Sequence, residues 1–241
     1  MLYCSFDTSP NQRALKRIVI AIDGPAASGK STTARLVAER LGYVHIDTGA
    51  MYRAMTLKTV TEGIRLDDRD GIRNLVSSTR IELKRQNGRI VVFLDGEDVS
   101  DKLRTPEVTK AVSTVSSLRE VRDAMVREQR RMAEEGGVVL EGRDIGTVVF
   151  PKAELKVFMV ADVRERALRR QLELKQQGLE VKLDTLINEL RLRDEKDSTR
   201  VESPLLRAED ALEVDTSGLT VEEQVEIVVR RARAIIGDEG S

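Results

Sequence analysis

Chemistry in this sequence starts at Gly24-Pro-Ala-Ala-Ser-Gly-Lys-Ser31, where two spaced glycines are followed at once by a lysine and a hydroxyl. Glycine reaches backbone angles that other residues avoid. Gly24 and Gly29 therefore let the chain curl until its N–H groups point inward at an anion, with Pro25, Ala26, Ala27 and Ser28 forming the loop between them. A helix beginning near Lys30 and running on through Thr32 adds its positive N-terminal end to that cradle. In such a loop the Lys30 ammonium reaches the β- and γ-phosphates, and the Ser31 hydroxyl holds Mg²⁺. A chance glycine-rich turn is the plain alternative. The flanking pattern decides against it, and a bound nucleoside triphosphate is the expectation.

That flanking pattern is strand, turn, helix. Ile18-Val-Ile-Ala-Ile22 reads as a buried strand ending at Asp23, and Thr32 to Leu41 places Ala34, Val37, Ala38 and Leu41 on one helical face. Gly42 stops the helix. Tyr43 to Ile46 is a short strand, followed by Asp47-Thr48-Gly49 and a helix from about Ala50 to Glu62. Asp67 to Ser78 reads as another helix. Arg80–Arg85 and Arg89–Leu94 then alternate about an Asn87-Gly88 hairpin signal, with a short third strand at Glu97–Val99. Thr105-Pro106-Glu107 opens a helix. Ser117 and Glu120 have the spacing of a capping box for a longer one, which runs to Glu135. Apolar strands at Val138–Leu140, Leu155–Val160 and Ala211–Val214 alternate with helices at Val163–Gln177, Lys182 to about Glu195 and Thr220 to about Ile236.

Such alternation implies an α/β fold, a parallel sheet with helices on both faces and a site at the carboxyl ends of its strands. Asp47-Thr48-Gly49, Arg143-Asp144 and Asp162 all follow strands and are expected near the phosphate cradle. The antiparallel meander interrupts the alternation and reads as an inserted subdomain of about residues 76–114.

Composition narrows the partners. The 40 basic and 41 acidic residues nearly cancel, and only 3% of residues are aromatic. Neither a general nucleic-acid surface nor a base-stacking platform is expected. No apolar run is long enough to span a membrane. Cys4 is a lone cysteine, so no internal disulfide is expected; the reading is a cytoplasmic, monomeric protein. Residues 1–16 read as a mobile extension and 237–241 as a tail. His45 is the single histidine and reads as an ordinary residue on a strand face.

Positive charge is placed tellingly. Arg166, Arg169 and Arg170 share a helix at spacings where like charges repel. Arg191, Arg193, Lys196 and Arg200 follow beyond the break at Gly178. A solvated surface paired with nearby glutamates is one reading; a mobile basic flap that closes over phosphates and excludes water is the one preferred. Arg53, Arg143 and Arg200 are candidates for a second anion site, since guanidinium forks match phosphate oxygens. Asp144 beside Arg143 fits an ion pair or an acceptor for a substrate amino group. Asp47 fits a water-mediated Mg²⁺ contact or a helix cap.

Four stretches narrow this further. Asp23 to Lys30, Asp47-Thr-Gly-Ala-Met-Tyr-Arg53, Glu141-Gly-Arg-Asp-Ile-Gly-Thr-Val-Val-Phe-Pro151 and Arg193-Asp-Glu-Lys-Asp-Ser-Thr-Arg200 resemble the bacterial cytidylate kinase family in content and order. The resemblance covers about residues 17–236, a nucleoside-monophosphate kinase domain. It implies a P-loop kinase core with a parallel five-stranded sheet flanked by helices, an acceptor-binding insert with a small antiparallel sheet, and a helical lid at about 163–200. It implies transfer of the γ-phosphoryl of ATP to CMP or dCMP with Mg²⁺. By the same resemblance Arg53, Arg143 and Arg200 grip the CMP phosphate. Ser113, Arg122 and Asp144 read the cytosine edge, while Arg193 and Asp197 contact the sugar. Thr48 and Tyr52 line the pocket, and Arg166 and Arg170 serve the ATP phosphates.

Two other readings were weighed. A P-loop kinase acting on a sugar or acid alcohol has no need of the second arginine set. A nucleotide-driven switch or nucleic-acid-associated ATPase would hydrolyse ATP without an acceptor.

Overall fold

The computed structural model describes residues 17–86, 89–176 and 178–237. The expected extension at 1–16, the Asn87-Gly88 turn, Gln177 and most of the tail lie outside the described residues.

The run Ile18 to Ile22 forms β1 (Val19–Asp23), and Ile18, Ile20, Ala21 and Ile22 are wholly buried. A strand buried on both faces is what a continuous apolar run produces at the centre of a parallel sheet covered by helices. β2 (Val44–Asp47), β6 (Val138–Gly142), β7 (Leu155–Val160) and β8 (Leu212–Asp215) complete a five-stranded parallel sheet in the order β2-β6-β1-β7-β8. β1 lies between β6 and β7, with Asp23 in register with Gly142 on one side and Phe158 on the other. Strand order reverses about β1, so the chain leaving its carboxyl end enters the crevice where ligands bind in such sheets.

α1 (Lys30–Leu41) follows that crevice and ends at Gly42, whose φ of 66° suits glycine. Ala34, Val37 and Ala38 of α1 join Ile18, Ile20, Ile22, Val157 and Met159 of the sheet in one core. Val225, Val228, Val229 and Ala232 of α8 (Val221–Ile236) complete it. Fully burying one such aliphatic side chain contributes about 1.5–3 kcal/mol. α8 opens with the expected capping box: the Glu223 N–H donates to the Thr220 hydroxyl, and the Glu223 carboxylate accepts from the Thr220 N–H. α6 (Val163–Gln176) and α7 (Leu183–Thr199) form a helical hairpin, with Ala167, Leu186 and Leu190 packed on Ala26 of the loop. α7 runs through Lys196 and Asp197, four residues beyond the expected end at Glu195.

Among the described residues these elements belong to one compact unit, 17–46 and 135–237; residues 47–134 make a second. The second takes in α2 (Thr48–Thr61), α3 (Arg69–Ser78), β3 (Ile81–Gln86), β4 (Arg89–Leu94), β5 (Glu97–Asp98), α4 (Pro106–Val115) and α5 (Arg119–Met132). The expected meander is there: β3, β4 and β5 are antiparallel in that order, with Gln86 paired to Arg89. It is one part of a unit larger than residues 76–114.

Two local expectations are corrected. α2 starts at Thr48 rather than near Ala50, because the Asp47 carboxylate accepts the Ala50 N–H at 2.9 Å and caps it. The capping box at Ser117–Glu120 does not form. The Ser117 hydroxyl donates instead to the Thr114 carbonyl at 2.7 Å, closing the preceding helix, and α5 starts without a side-chain cap.

Candidate active site

The loop leaving β1 turns on three residues with positive φ: Gly24 at 148°, Ala27 at 59° and Gly29 at 95°. At Gly24 a Cβ would stand 2.1 Å from the Met159 carbonyl oxygen, so only glycine fits between the loop and β7. Thr216 fastens the loop by donating to the Ser28 carbonyl at 3.0 Å. Arg166 fastens it from α6, its guanidinium donating to Ala26 O at 3.2 Å, to Ala161 O at 3.0 Å and to Asp194 at 2.7 Å.

Lys30 is buried at the mouth of α1, its ammonium donating to Pro25 O at 2.5 Å and Ser28 Oγ at 3.2 Å. Its pKa lies well below the ordinary lysine value. Burial is the main cause, followed by the positive charge of Arg143; Glu141 and Asp23 oppose the fall, and Arg193 adds to it. A lysine held among guanidiniums, against a helix N-terminus and a glycine cradle, is stabilised by an incoming polyanion.

Those guanidiniums are steadied by carboxylates. Arg143 Nε donates to Asp197 at 3.0 Å and its Nη1 to Gly142 O at 3.2 Å. Arg193, one helical turn before Asp197 on α7, lies 3.9 Å from the same carboxylate. Arg200 stands 3.7 Å from Asp144 and donates to Ser203 O at 2.6 Å. Asp144 and Asp197 are both about 96% buried. In this unit the structure thus brings together Lys30, Arg143, Asp144, Arg193, Asp197 and Arg200, drawn from the start of α1, the turn after β6, and α7 with the residue that ends it.

The α6 arginines do not act as a set. Arg166 enters the loop, Arg169 turns to Thr216, and Arg170 pairs with Glu173 on its own helix at 3.0 Å. Asp162 accepts the Arg164 N–H at 2.8 Å, at the start of α6.

The Ser31 hydroxyl donates its proton to Glu141 at 2.6 Å, and His45 meets the other oxygen of that carboxylate at 3.2 Å. Burial pushes the Glu141 carboxyl up. The His45 contact, the Ser31 bond and Lys30 outweigh it and hold the carboxyl below its usual range. A hydroxyl whose hydrogen is directed at a carboxylate presents only lone pairs elsewhere. With Glu141 it makes an oxygen donor set that fits Mg²⁺, an ion usually held by one or two protein groups plus substrate phosphates. Among the described residues no cluster of three or more His, Cys, Asp or Glu forms a protein-only cage. Glu141 is a functional candidate that the sequence analysis does not single out; His45, expected as an ordinary residue on a strand face, lies on β2 against its carboxylate. The signal was present in the place of Glu141, next to the phosphate loop's strand in any parallel sheet of this order.

In the second unit, α2 carries Thr48, Tyr52 and Arg53. Thr48 and Tyr52 are buried, and a Cβ at Gly49 would stand 3.1 Å from Arg53 Nη1, so that guanidinium lies back along the helix. The Arg122 guanidinium of α5 sits 5.6 Å over the Tyr52 ring and donates to the Ser116 carbonyl at 3.3 Å, just beyond Ser113 on α4. Tyr52, Arg122 and the end of α4 are therefore neighbours.

A family model described as cytidylate kinase matches residues 20–234. The cytidylate kinase of Caldicellulosiruptor bescii is 49% identical over 225 residues, 93% of this chain and 100% of that protein. That of Bacillus thuringiensis is 50% identical over 214 residues, 89% of this chain and 95% of that protein. A shikimate kinase structure from Bacteroides thetaiotaomicron is a distant likeness, with 16% identity, a TM-score of 0.48 and coverage of 91% of this chain and 98% of that one.

Proposed function

The chain belongs to the cytidylate kinase family, and on that premise we propose that it transfers the γ-phosphoryl group of ATP to CMP or dCMP, giving ADP and CDP or dCDP. The observation that carries the reading is Lys30: a buried ammonium opposed by Arg143 and Arg193, at the end of a loop whose first residue, Gly24, has no room for a Cβ. That arrangement suits a donor polyphosphate in the loop with further phosphate charge beside it.

Phosphoryl transfer asks the protein for positioning and charge stabilisation more than for covalent chemistry. The loop Gly24–Thr32 cradles the donor phosphates, and Lys30 follows the charge that develops on the transferred group. Ser31 and Glu141 are the residues that would hold Mg²⁺, which would supply positive charge to offset that of the phosphates. Arg143, Arg200 and Arg53 take the acceptor phosphate, while Arg193 and Asp197 take the sugar. Asp144 takes the cytosine amino group, and in the second unit Ser113, Arg122, Thr48 and Tyr52 keep the acceptor-binding roles that the family implies. Arg166 and Arg170 serve the donor phosphates from the α6–α7 lid, about residues 163–200, and the acceptor insert centres on residues 76–114. No helix among the described residues is long and apolar enough to cross a membrane. We place the protein in the cytoplasm as a monomer with nucleotides, and no nucleic acid, as partners.

Cytosine selection has a physical form. Uracil presents a carbonyl where cytosine has its amino donor, and a buried Asp144 facing that oxygen would be left unpaired, at a cost of about 1–3 kcal/mol. A coupled ADP-release assay with CMP, dCMP, UMP, AMP and shikimate tests the reading: CMP and dCMP are the expected acceptors. Asp144→Ala should lose CMP activity and CMP-over-UMP preference together. Purified protein that makes no CDP, or that prefers shikimate, overturns the proposal.

A further inference from the structure

The reaction as proposed gives no task to Asp23, the last residue of β1. It is about 96% buried, and both carboxylate oxygens are used. One accepts the Ile145 N–H at 2.9 Å and the other the Gly146 N–H at 2.7 Å, from residues 122 and 123 positions later in the chain. These two amides open the π-helical turn Ile145–Val149. The first amides of any helical turn need acceptors, and the residue just before it is the ordinary supplier. Here that residue is Asp144, yet its side chain makes no capping bond, and its φ of −146° and ψ of 24° lie outside the helical range. Asp23 caps the turn in its place, from the neighbouring strand.

We propose that Asp23 is a positioning residue for the acceptor: by capping the turn after Asp144 it fixes how Arg143 and Asp144 are presented, and it frees the Asp144 carboxylate from capping its own helix. The inference rests on the reading of Asp144 and Arg143 given above. The local packing agrees with it. A Cβ at Gly146 would stand 3.4 Å from the Asp23 carboxylate and 3.2 Å from the Lys156 chain, so the carboxylate approaches bare backbone. The loop that holds the donor begins at the very next residue, Gly24. One side chain therefore ties the donor loop's strand to the segment that reads the acceptor.

The same geometry makes the tie sensitive to protons. The charged groups facing Asp23 are Asp144 and Lys30, and Lys30 in turn faces Arg143, Glu141 and Arg193. Burial pushes the Asp23 pKa up to about 6; the two amide bonds and Lys30 restrain the rise and Asp144 adds to it. The ionised carboxylate accepts both amides. Once protonated, one oxygen becomes a donor facing an N–H, and the cap is weakened as pH falls below about 6.

The test uses the full-length protein and its Asp23→Asn variant, whose amide keeps the shape but offers one acceptor fewer. The expected result is a KM for CMP raised about tenfold, a CMP-over-UMP ratio lowered about tenfold, and a Kd for ATP, from calorimetry, within threefold of the parent. In ¹⁵N-labelled parent protein without nucleotide, the amide protons of Ile145 and Gly146 should shift together with a midpoint near pH 6, and the variant should show no such step. Equal losses toward ATP and CMP, or amides that do not titrate together, would overturn the proposal. If Asp23→Asn does not fold, the amide titration of the parent decides alone. A parent that makes no CDP would sink the kinase reading while leaving the amide result to be read independently.

Discussion

Residues 24–31, the proposed donor cradle, are shaped by backbone, whereas Arg143, Arg193 and Arg200, the proposed acceptor cradle, are side chains steadied by Asp144 and Asp197. The first is fixed by where a Cβ is forbidden. The second is fixed by where a carboxylate happens to be near. A backbone cradle has one solution, is encoded within eight residues and cannot be adjusted a little. A guanidinium cradle draws on β6, α7 and the turn at Ser203, and each of its members already has a partner that an incoming phosphate would have to replace. The donor site is thus expected to be brittle and the acceptor site graded.

The sharpest break should come at Gly24. Gly24→Ala puts a methyl group 2.1 Å from the Met159 carbonyl at a φ of 148°, and neither β7 nor the loop has a flexible side chain there to yield. A loss of about 3 kcal/mol or more in stability is expected, together with loss of ATP binding. Thermal unfolding and calorimetry check both. Normal ATP affinity in a stable Gly24→Ala protein would show that the cradle is not held by its backbone.

Lys30→Met separates binding from folding. Removing a charge stabiliser of the transferred group should lower kcat by about 10²–10³-fold. Stability should move the other way. The folded pKa of Lys30 is depressed, so between that value and its ordinary 10.5 the unfolded chain binds more protons than the native one. Stability of the nucleotide-free protein therefore rises with pH through that window. Methionine removes the penalty, so the Tm without nucleotide should rise and its pH dependence should flatten. A lower Tm would mean that the Lys30 bonds to Pro25 and Ser28 outweigh its burial.

Asp197→Ala addresses the graded cradle. Arg143 and Arg193 lose their shared carboxylate, and breaking a buried pair of this kind costs about 3 kcal/mol. The KM for CMP should rise about tenfold while the Kd for ATP changes little. If the two constants rise equally, Asp197 serves the whole fold and not the acceptor.

The same contrast explains what could be read in the sequence. The phosphate loop, the individual strands and helices, the antiparallel meander and the Thr220 capping box are legible because each depends on neighbours a few residues away, and the parallel sheet follows from the alternation of those elements. The capping box at Ser117 was misread because a hydroxyl has two nearby backbone partners, and the Thr114 carbonyl won. α2 begins early because Asp47 acts as a cap, one of two roles its position allowed. The contacts of Glu141 and Asp23 are not legible locally because they come from pairing across the sheet. Ser31 meets Glu141 across 110 positions, and nothing local in either stretch announces it. The arginines of α6 share a helix at close spacing yet take three different partners, which spacing alone does not specify.

Arg170 gives the smallest and most discriminating effect. It pairs with Glu173, three residues on and half exposed, a contact worth about 0.3–0.5 kcal/mol at a helix surface. Arg170→Ala should therefore leave the Tm within about 1 °C. If Arg170 reaches the donor phosphates when the α6–α7 hairpin closes, kcat should still fall several-fold, with KM for CMP unchanged. Arg166→Ala provides the contrast on the same helix, since it removes bonds to Ala26 and Asp194 and must cost stability as well as rate. Loss of rate in both variants, with loss of stability in Arg166→Ala alone, would assign Arg170 to the donor and Arg166 to the loop. An Arg170→Ala protein with unchanged kcat would return that arginine to the solvated surface and leave α6 with one functional guanidinium, placed by its contacts with the loop backbone.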